Sequence, residues 1–126
     1  MIFGIGTDIV SYQRISELVE RYGERFAQRI LSASELEEYA ASNDKARYLM
    51  KHFAAKEAFA KAMGTGLRAS VTLRRISIDH DEQGKPLLAF DDVLSNYAAR
   101  LGVMRHHLSI SDEKDVAVAF VVLEKD

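Results

Sequence analysis

Cysteine and tryptophan are both missing from these 126 residues, and proline occurs once, at Pro86. Without cysteine there can be no disulfide framework, no thiolate metal site and no cysteine nucleophile. Such a chain suits a reducing compartment. No apolar run approaches the roughly 18 residues that a membrane span needs. The opening Met1-Ile-Phe-Gly-Ile-Gly6 lacks the basic start and long apolar stretch of a secretory signal. The expected location is therefore the cytoplasm, with no membrane association. Net charge is also small, −2 with a pI near 6.1, which argues against a dedicated nucleic-acid binder. Repeats, low-complexity tracts and linkers are absent too, so one domain over residues 1–126 is expected.

What is present is an uneven charge distribution. Residues 45–75 hold Lys45, Arg47, Lys51, Lys56, Lys61, Arg68, Arg74 and Arg75 against the single acid Glu57, while both flanking segments are net negative. A positive field around one carboxylate is what a metal-bridged polyphosphate would need. A solvated basic helix with one stray acid would look the same on charge alone.

Ile2 to Val10 alternates apolar residues with Gly4, Gly6 and Asp8 and reads as a first strand, its glycines marking a close backbone approach or a bulge. Ser11 can cap a helix over about 12–21, with Ile15, Leu18 and Val19 inward and Gly23 as its stop. Phe26, Ile30 and Leu31 indicate a short helical turn, and Ser32 with Glu35 matches a capping box before Leu36, Tyr39 and Ala40. The longest helix is expected over about 45–63, with Tyr48, Leu49, Phe53 and Phe59 as its apolar surface and Gly64 just past its end. Residues 71–80 and 87–90 read as strands around the turn Glu82-Gln-Gly84-Lys85-Pro86. Asp91 or Asp92 then caps a helix ended by Gly102. His107–Ser111 and Val116–Leu123 form a hairpin. Helices and strands do not alternate strictly, so the expected class is α+β, with a largely antiparallel sheet packed on a long central helix.

Glu57 and Lys61 lie four apart and share a helix face. The pair is either a local salt bridge, or a metal ligand beside a phosphate-binding ammonium. Mg²⁺ is commonly held by one or two carboxylates together with phosphates and waters, so a second acid is wanted. Asp8 is the candidate, because an acid in a strand of apolar residues and glycines costs stability unless it is partnered. Backbone N–H groups at a strand end would satisfy it equally well. Gly64-Thr65-Gly66 follows a helix, so it is neither a P-loop nor a dinucleotide fingerprint. His52, His80, His106 and His107 have no metal-ligand spacing and read as surface or packing residues. The first helix is read as carrying Arg14, Arg21 and Arg25 near one stripe, with Leu18 between them. That stripe is an ordinary exposed face, or a docking surface for an acidic partner helix that exploits the bidentate pairing of arginine with carboxylates.

Gly6-Thr7-Asp8-Ile9-Val10, then Phe53-Ala-Ala-Lys56-Glu57-Ala58 with Lys61-Ala-Met-Gly64-Thr65-Gly66, closely resembles the holo-acyl-carrier-protein synthases, small phosphopantetheinyl transferases. The likeness extends to Gly84-Lys85-Pro86 and to the closing Leu108-Ser-Ile-Ser111 and Ala117 to Glu124, and so spans essentially the whole chain. It implies transfer of the 4′-phosphopantetheine arm of coenzyme A to a serine of apo acyl carrier protein, releasing adenosine 3′,5′-bisphosphate. It implies that Asp8 and Glu57 hold Mg²⁺ and that Lys61 lies at the phosphates. It also implies that Gly64, Thr65, Gly66, Lys85 and Pro86 lie near the nucleotide of coenzyme A, and that Arg14 and an arginine near Arg21 belong to the carrier-docking helix. A homotrimer with sites at subunit interfaces is the implied assembly. One position departs from the pattern. Many members carry Ser-His in the last motif where this chain has Ser111-Asp112, and that histidine's role does not pass to His106 or His107.

Two other classes fit parts of the pattern. A non-catalytic coenzyme A or nucleotide-binding module would bind the cofactor without modifying a carrier, and an RNA binder would use the central basic stretch. Both acids being present speaks against the first. Overall acidity and the lack of aromatics among the central basic residues speak against the second.

Overall fold

The computed structural model describes residues 1–126. In chain order it contains β1 (Ile2–Ser11), α1 (Tyr12–Tyr22), α2 (Glu24–Ile30), α3 (Ala33–Ala41), α4 (Lys45–Met63), a 3₁₀ turn (Leu73–Arg75), β2 (Ile76–His80), β3 (Pro86–Phe90), α5 (Asp92–Arg100), β4 (Arg105–Asp112) and β5 (Val116–Glu124). The strands form two antiparallel sheets, one in the order β1-β5-β4 and one of β2 with β3. The expected α+β class with antiparallel pairing is the observed one.

The long helix lies against one face of the three-stranded sheet. Period-two alternation sorts the strands. Val10, Ala117, Ala119, Val121 and Leu123 are buried on that face, whereas Ile5, Ile9 and Phe120 on the other are 59%, 68% and 44% exposed. Gly4 and Gly6 explain how close the helix comes. A Cβ on either glycine would stand 2.0 Å from a helix carbonyl oxygen, that of Ala62 or Ala58 respectively. Helix backbone therefore packs directly on strand backbone, and only glycine fits between them. A register irregularity between Ile2 and Gly4 adds the bulge that the glycines also allowed.

Helix boundaries follow local chemistry. Asp44 accepts from the Arg47 N–H at 3.0 Å and starts α4. Gly64, with φ of 80°, ends it in the left-handed conformation that glycine adopts without strain. Ser11 and Asp91 cap α1 and α5 in the same manner.

Two expectations are corrected. The strand expected from Val71 starts at Ile76, because Leu73–Arg75 close a 3₁₀ turn in which the Ile76 N–H returns to the Leu73 carbonyl. Val71 is nonetheless buried. In addition, Arg25 does not share a helix with Arg14 and Arg21. Gly23, at φ of 60° and ψ of −140°, breaks the chain there and places Arg25 on α2.

Candidate active site

Asp8 comes from the middle of β1, where even-numbered residues face α4. Glu57 and Lys61 come from successive turns of α4. The Lys61 ammonium reaches across to β1, donating to Asp8 Oδ1 at 3.1 Å and to the Thr7 carbonyl at 3.0 Å. Of the two readings of this pair, the local Glu57–Lys61 salt bridge is not formed, because the strand offers Lys61 two acceptors at once. Lys61 remains about half exposed and Asp8 about one-sixth.

Burial pushes the Glu57 carboxyl above its usual range, and the neighbouring charge of Asp8 pushes it further. Lys61 and Arg14 pull it back down. Two carboxylates that repel each other in a partly desolvated corner suit a shared cation. Nowhere do three or more His, Asp or Glu side chains gather in a way that could hold a metal. Two hard oxygen donors with open coordination positions match Mg²⁺ in company with phosphates and water. The donor set therefore fits.

The segment 64–66 leaves the end of α4 directly. Gly66 N–H donates to the Ala60 carbonyl at 3.2 Å, and Thr65 Oγ1 donates to the Gly66 carbonyl at 2.8 Å. Lys85 stands in the turn between β2 and β3. It lines a hollow of about 150 Å³ with His107, Leu108, Ser109, Phe120 and Val122, and Pro86 begins β3 beside it. Neither Asp8, Glu57 nor Lys61 lines any of the five cavities, so the hollow beside Lys85 has none of the three in its wall. Arg14 and Arg21 are exposed on α1. Arg25 lines a groove of about 310 Å³ between α1 and α2 with Leu18, Tyr22, Phe26 and Arg29.

Sequence reasoning missed two features. Lys56 does not contribute to an outward positive field. It is 0% exposed, donates to Glu35 Oε1 at 2.5 Å and to the Ile30 carbonyl at 2.8 Å, and its burial lowers its pKa against the pull of Glu35. Glu35 sits 21 residues away, and only its place in the capping box marked it. Arg47 is likewise committed. It contacts Asp112 Oδ2 at 2.7 Å and the carbonyls of Glu113 and Lys114, locking the β4–β5 turn to α4. Asp112, which stands where many resembling proteins have histidine, is therefore an ion-pair partner. His52 is the packing case of the surface-or-packing reading, since it is buried. Its Nδ1–H donates to the Tyr48 carbonyl at 2.7 Å, its ring stacks on Tyr48, and burial lowers its pKa. His107 is exposed and pairs with Glu124 at 2.6 Å.

With this geometry in place, comparison with known proteins defines the class. The sequence model of the 4′-phosphopantetheinyl transferase superfamily matches residues 4–121. This chain belongs to that family. It is 54% identical to the holo-[acyl-carrier-protein] synthase of Nitrosospira multiformis, covering 99% of this chain and all of that one. The crystal structure of holo-[acyl-carrier-protein] synthase from Neisseria meningitidis superimposes with a TM-score of 0.97 at 51% identity, over 99% of this chain and all of that chain. The Bacillus anthracis synthase, solved in complex with CoA (3′,5′-ADP), superimposes with a TM-score of 0.83 at 35% identity, over 100% of this chain and 99% of that chain. No helix of the present chain is long and apolar enough to cross a membrane.

Proposed function

We propose that this chain transfers the 4′-phosphopantetheine arm of coenzyme A to a serine of apo acyl carrier protein, in support of fatty acid synthesis. The observation that carries the reading is the convergence of Asp8, Glu57 and Lys61, from β1 and α4, in a member of this family.

The carrier's serine oxygen bonds to the β-phosphorus of the pyrophosphate. The bond from that phosphorus to the bridging oxygen breaks, and adenosine 3′,5′-bisphosphate leaves. Because the carrier supplies the nucleophile, the chain needs none of its own. Asp8 and Glu57 would hold Mg²⁺, which when bound neutralises charge gathering on the pyrophosphate. Lys61, steered by Asp8 and still half open to solvent, places its ammonium where non-bridging oxygens develop charge. Such catalysis is mainly positioning and electrostatics. With Asp112 tied to Arg47, the serine proton passes to Glu57 or to a water beside it.

Gly64, Thr65 and Gly66 approach the nucleotide of coenzyme A from the end of α4, and Lys85 and Pro86 approach it from the β2–β3 turn. The exposed apolar row of Ile5, Ile9 and Phe120 supports assembly into a homotrimer in the cytoplasm, in which one subunit's Lys85 serves its neighbour's acids. Arg14, Arg21 and Arg25 dock the acidic carrier.

Incubation of apo acyl carrier protein with coenzyme A, Mg²⁺ and this protein, followed by mass spectrometry, tests the reading. A gain of about 340 Da is expected, the formula mass of the transferred arm. An unchanged carrier mass would refute transferase activity, and coenzyme A binding without that gain would favour the non-catalytic module.

A further inference from the structure

α4 is held by directional contacts of two kinds, solvent-reached ones at Arg47 and Lys61 and buried ones elsewhere on the helix. Toward β1 its buried contacts are Ala58 and Ala62 against Gly4 and Gly6, a close backbone-on-backbone surface, with Lys61 reaching over its edge to Asp8. Its buried residues are otherwise mostly alanines with Leu49, Met50, Phe59 and Met63. Apolar packing of this kind is strong but non-directional. The buried and part-buried directional contacts lie on a separate stripe, Tyr48, His52 and Lys56, spaced four apart and turned toward α3. Tyr48 Oη donates to the Glu35 carbonyl at 3.2 Å and to Glu38 Oε1 at 2.8 Å, His52 Nε2 faces Glu35 Oε2 at 3.6 Å, and Lys56 binds Glu35 Oε1.

Glu35 gathers the surrounding elements. Besides Lys56, its Oε1 accepts from the Ser32 N–H at 3.0 Å and the Ser32 hydroxyl at 3.2 Å, while Oε2 accepts from the Ile78 N–H at 2.8 Å. Lys56 adds the carbonyl of Ile30 at the end of α2. One ion pair, 0% and 1% exposed, thereby joins α2, α3, α4 and β2. A buried pair of this sort is a poor device for stability, since apolar replacements of similar volume often do as well. Its attested use is to fix register.

We propose that Lys56, held by Glu35, is a positioning residue that sets the rotation and axial register of α4, and so aims its neighbour Glu57, and Lys61 one turn further on, at Asp8. Successive helical residues point about 100° apart. Pinning Lys56 into the interior leaves Glu57 directed along the β1 side, and a slip of one turn, about 5.4 Å, would carry Glu57 and Lys61 away from Asp8. The inference rests on the transferase reading for its turnover arm but not for its binding arm.

The test compares the wild type with Lys56→Met and with Glu35→Gln/Lys56→Met. The double variant removes both charges and leaves no buried ion unpaired. Thermal midpoint, kcat and KM for the carrier, and Mn²⁺ affinity in the presence of coenzyme A by electron paramagnetic resonance are measured on each. The expected double variant folds with a midpoint within a few degrees of the wild type. Its kcat falls about tenfold to a hundredfold at unchanged carrier KM, and its Mn²⁺ affinity falls about tenfold. A folded double variant with wild-type kcat and Mn²⁺ affinity would overturn the proposal. If the double variant does not fold, Lys56→Arg, which keeps the charge but lengthens and forks the head, decides by the same readouts. A wild type that binds Mn²⁺ but transfers nothing would defeat the transferase reading while leaving the binding arm to judge Lys56. A wild type that binds no Mn²⁺ would defeat the positioning proposal.

Discussion

Lys61 Nζ lies 3.1 Å from Asp8 Oδ1 across 53 residues of sequence. That contact joins the strand that opens the fold to its longest helix, at the point where Glu57 also feels the charge of Asp8. A basic side chain that spans from helix to strand this way is placed by two backbones at once, which is the preorganisation that charge stabilisation requires.

Removing either acid should therefore stop the chemistry without unfolding the chain. Asp8→Ala and Glu57→Ala are expected to retain wild-type circular dichroism and lose transfer by at least about a thousandfold, and Lys61→Met to lose about a hundredfold in kcat. Near-normal turnover by either acid variant at saturating Mg²⁺ would remove the metal assignment.

The raised Glu57 carboxyl sets a pH dependence. A folded-state pKa above the unfolded one favours the fold at low pH, and that contribution is lost as pH rises through the folded value. In EDTA, Glu57→Gln should then be slightly more stable than wild type at about pH 7.5, by no more than about 1 kcal/mol because the group is partly solvated. The difference should close as the pH is lowered below the ordinary carboxyl value of 4.5, to about pH 3.5, where the carboxyl is protonated in both states. Urea titrations at both ends of that range measure it, and a Glu57→Gln variant less stable than wild type at the higher pH would contradict the assigned repulsion.

Glycine substitutions separate packing from backbone conformation. Gly6→Ala puts a Cβ 2.0 Å from the Ala58 carbonyl oxygen and should cost about 3 kcal/mol, with activity falling in parallel as α4 is pushed off the strand. Gly64→Ala meets no atom within 4 Å but must hold φ of 80°, and should cost about 1 kcal/mol. Equal losses in chemical denaturation would argue against the backbone-on-backbone contact.

Truncating Lys56 alone leaves the Glu35 carboxylate buried without its ammonium. Lys56→Met should lose about 3–5 kcal/mol, and pairing it with Glu35→Gln should restore most of that loss. A single variant as stable as wild type would mean that the pair is solvated in solution.

Carrier recognition should be electrostatic. Arg14→Ala, Arg21→Ala and Arg25→Ala are each expected to raise the carrier KM about fivefold at low salt with little change in kcat. The effect should shrink as ionic strength rises and the Debye length falls below about 10 Å. A loss confined to kcat would move these arginines from docking to chemistry. For Arg14, whose charge reaches Glu57, a mixed effect would show that it serves both.

Much of the architecture was legible because short-range rules decide it. Asp44 and Gly64 bound α4 at both ends by capping chemistry, and Ser11 and Gly23 bound α1. The 3₁₀ turn at Leu73–Arg75 was missed, since grouping Leu73, Ile76 and Ile78 as one strand's apolar positions passes over the adjacent Arg74 and Arg75, which break the two-residue alternation. Arg25 was misplaced on α1 because helical spacing continues on paper across Gly23, while the backbone does not.

The site divides along the same line. Residue types, spacing and family resemblance singled out Asp8, Glu57 and Lys61 from the sequence alone, since a metal-bridged phosphate needs hard oxygen donors and a nearby cation. Which partner Lys61 chose, that Lys56 turns inward to Glu35 while its neighbour Glu57 does not, and that Arg47 holds Asp112 were decided only by the tertiary structure. Those pairings join residues between 21 and 65 positions apart. Their energies depend on how deeply each charge is buried, and burial is a property of the packed chain that no local spacing encodes.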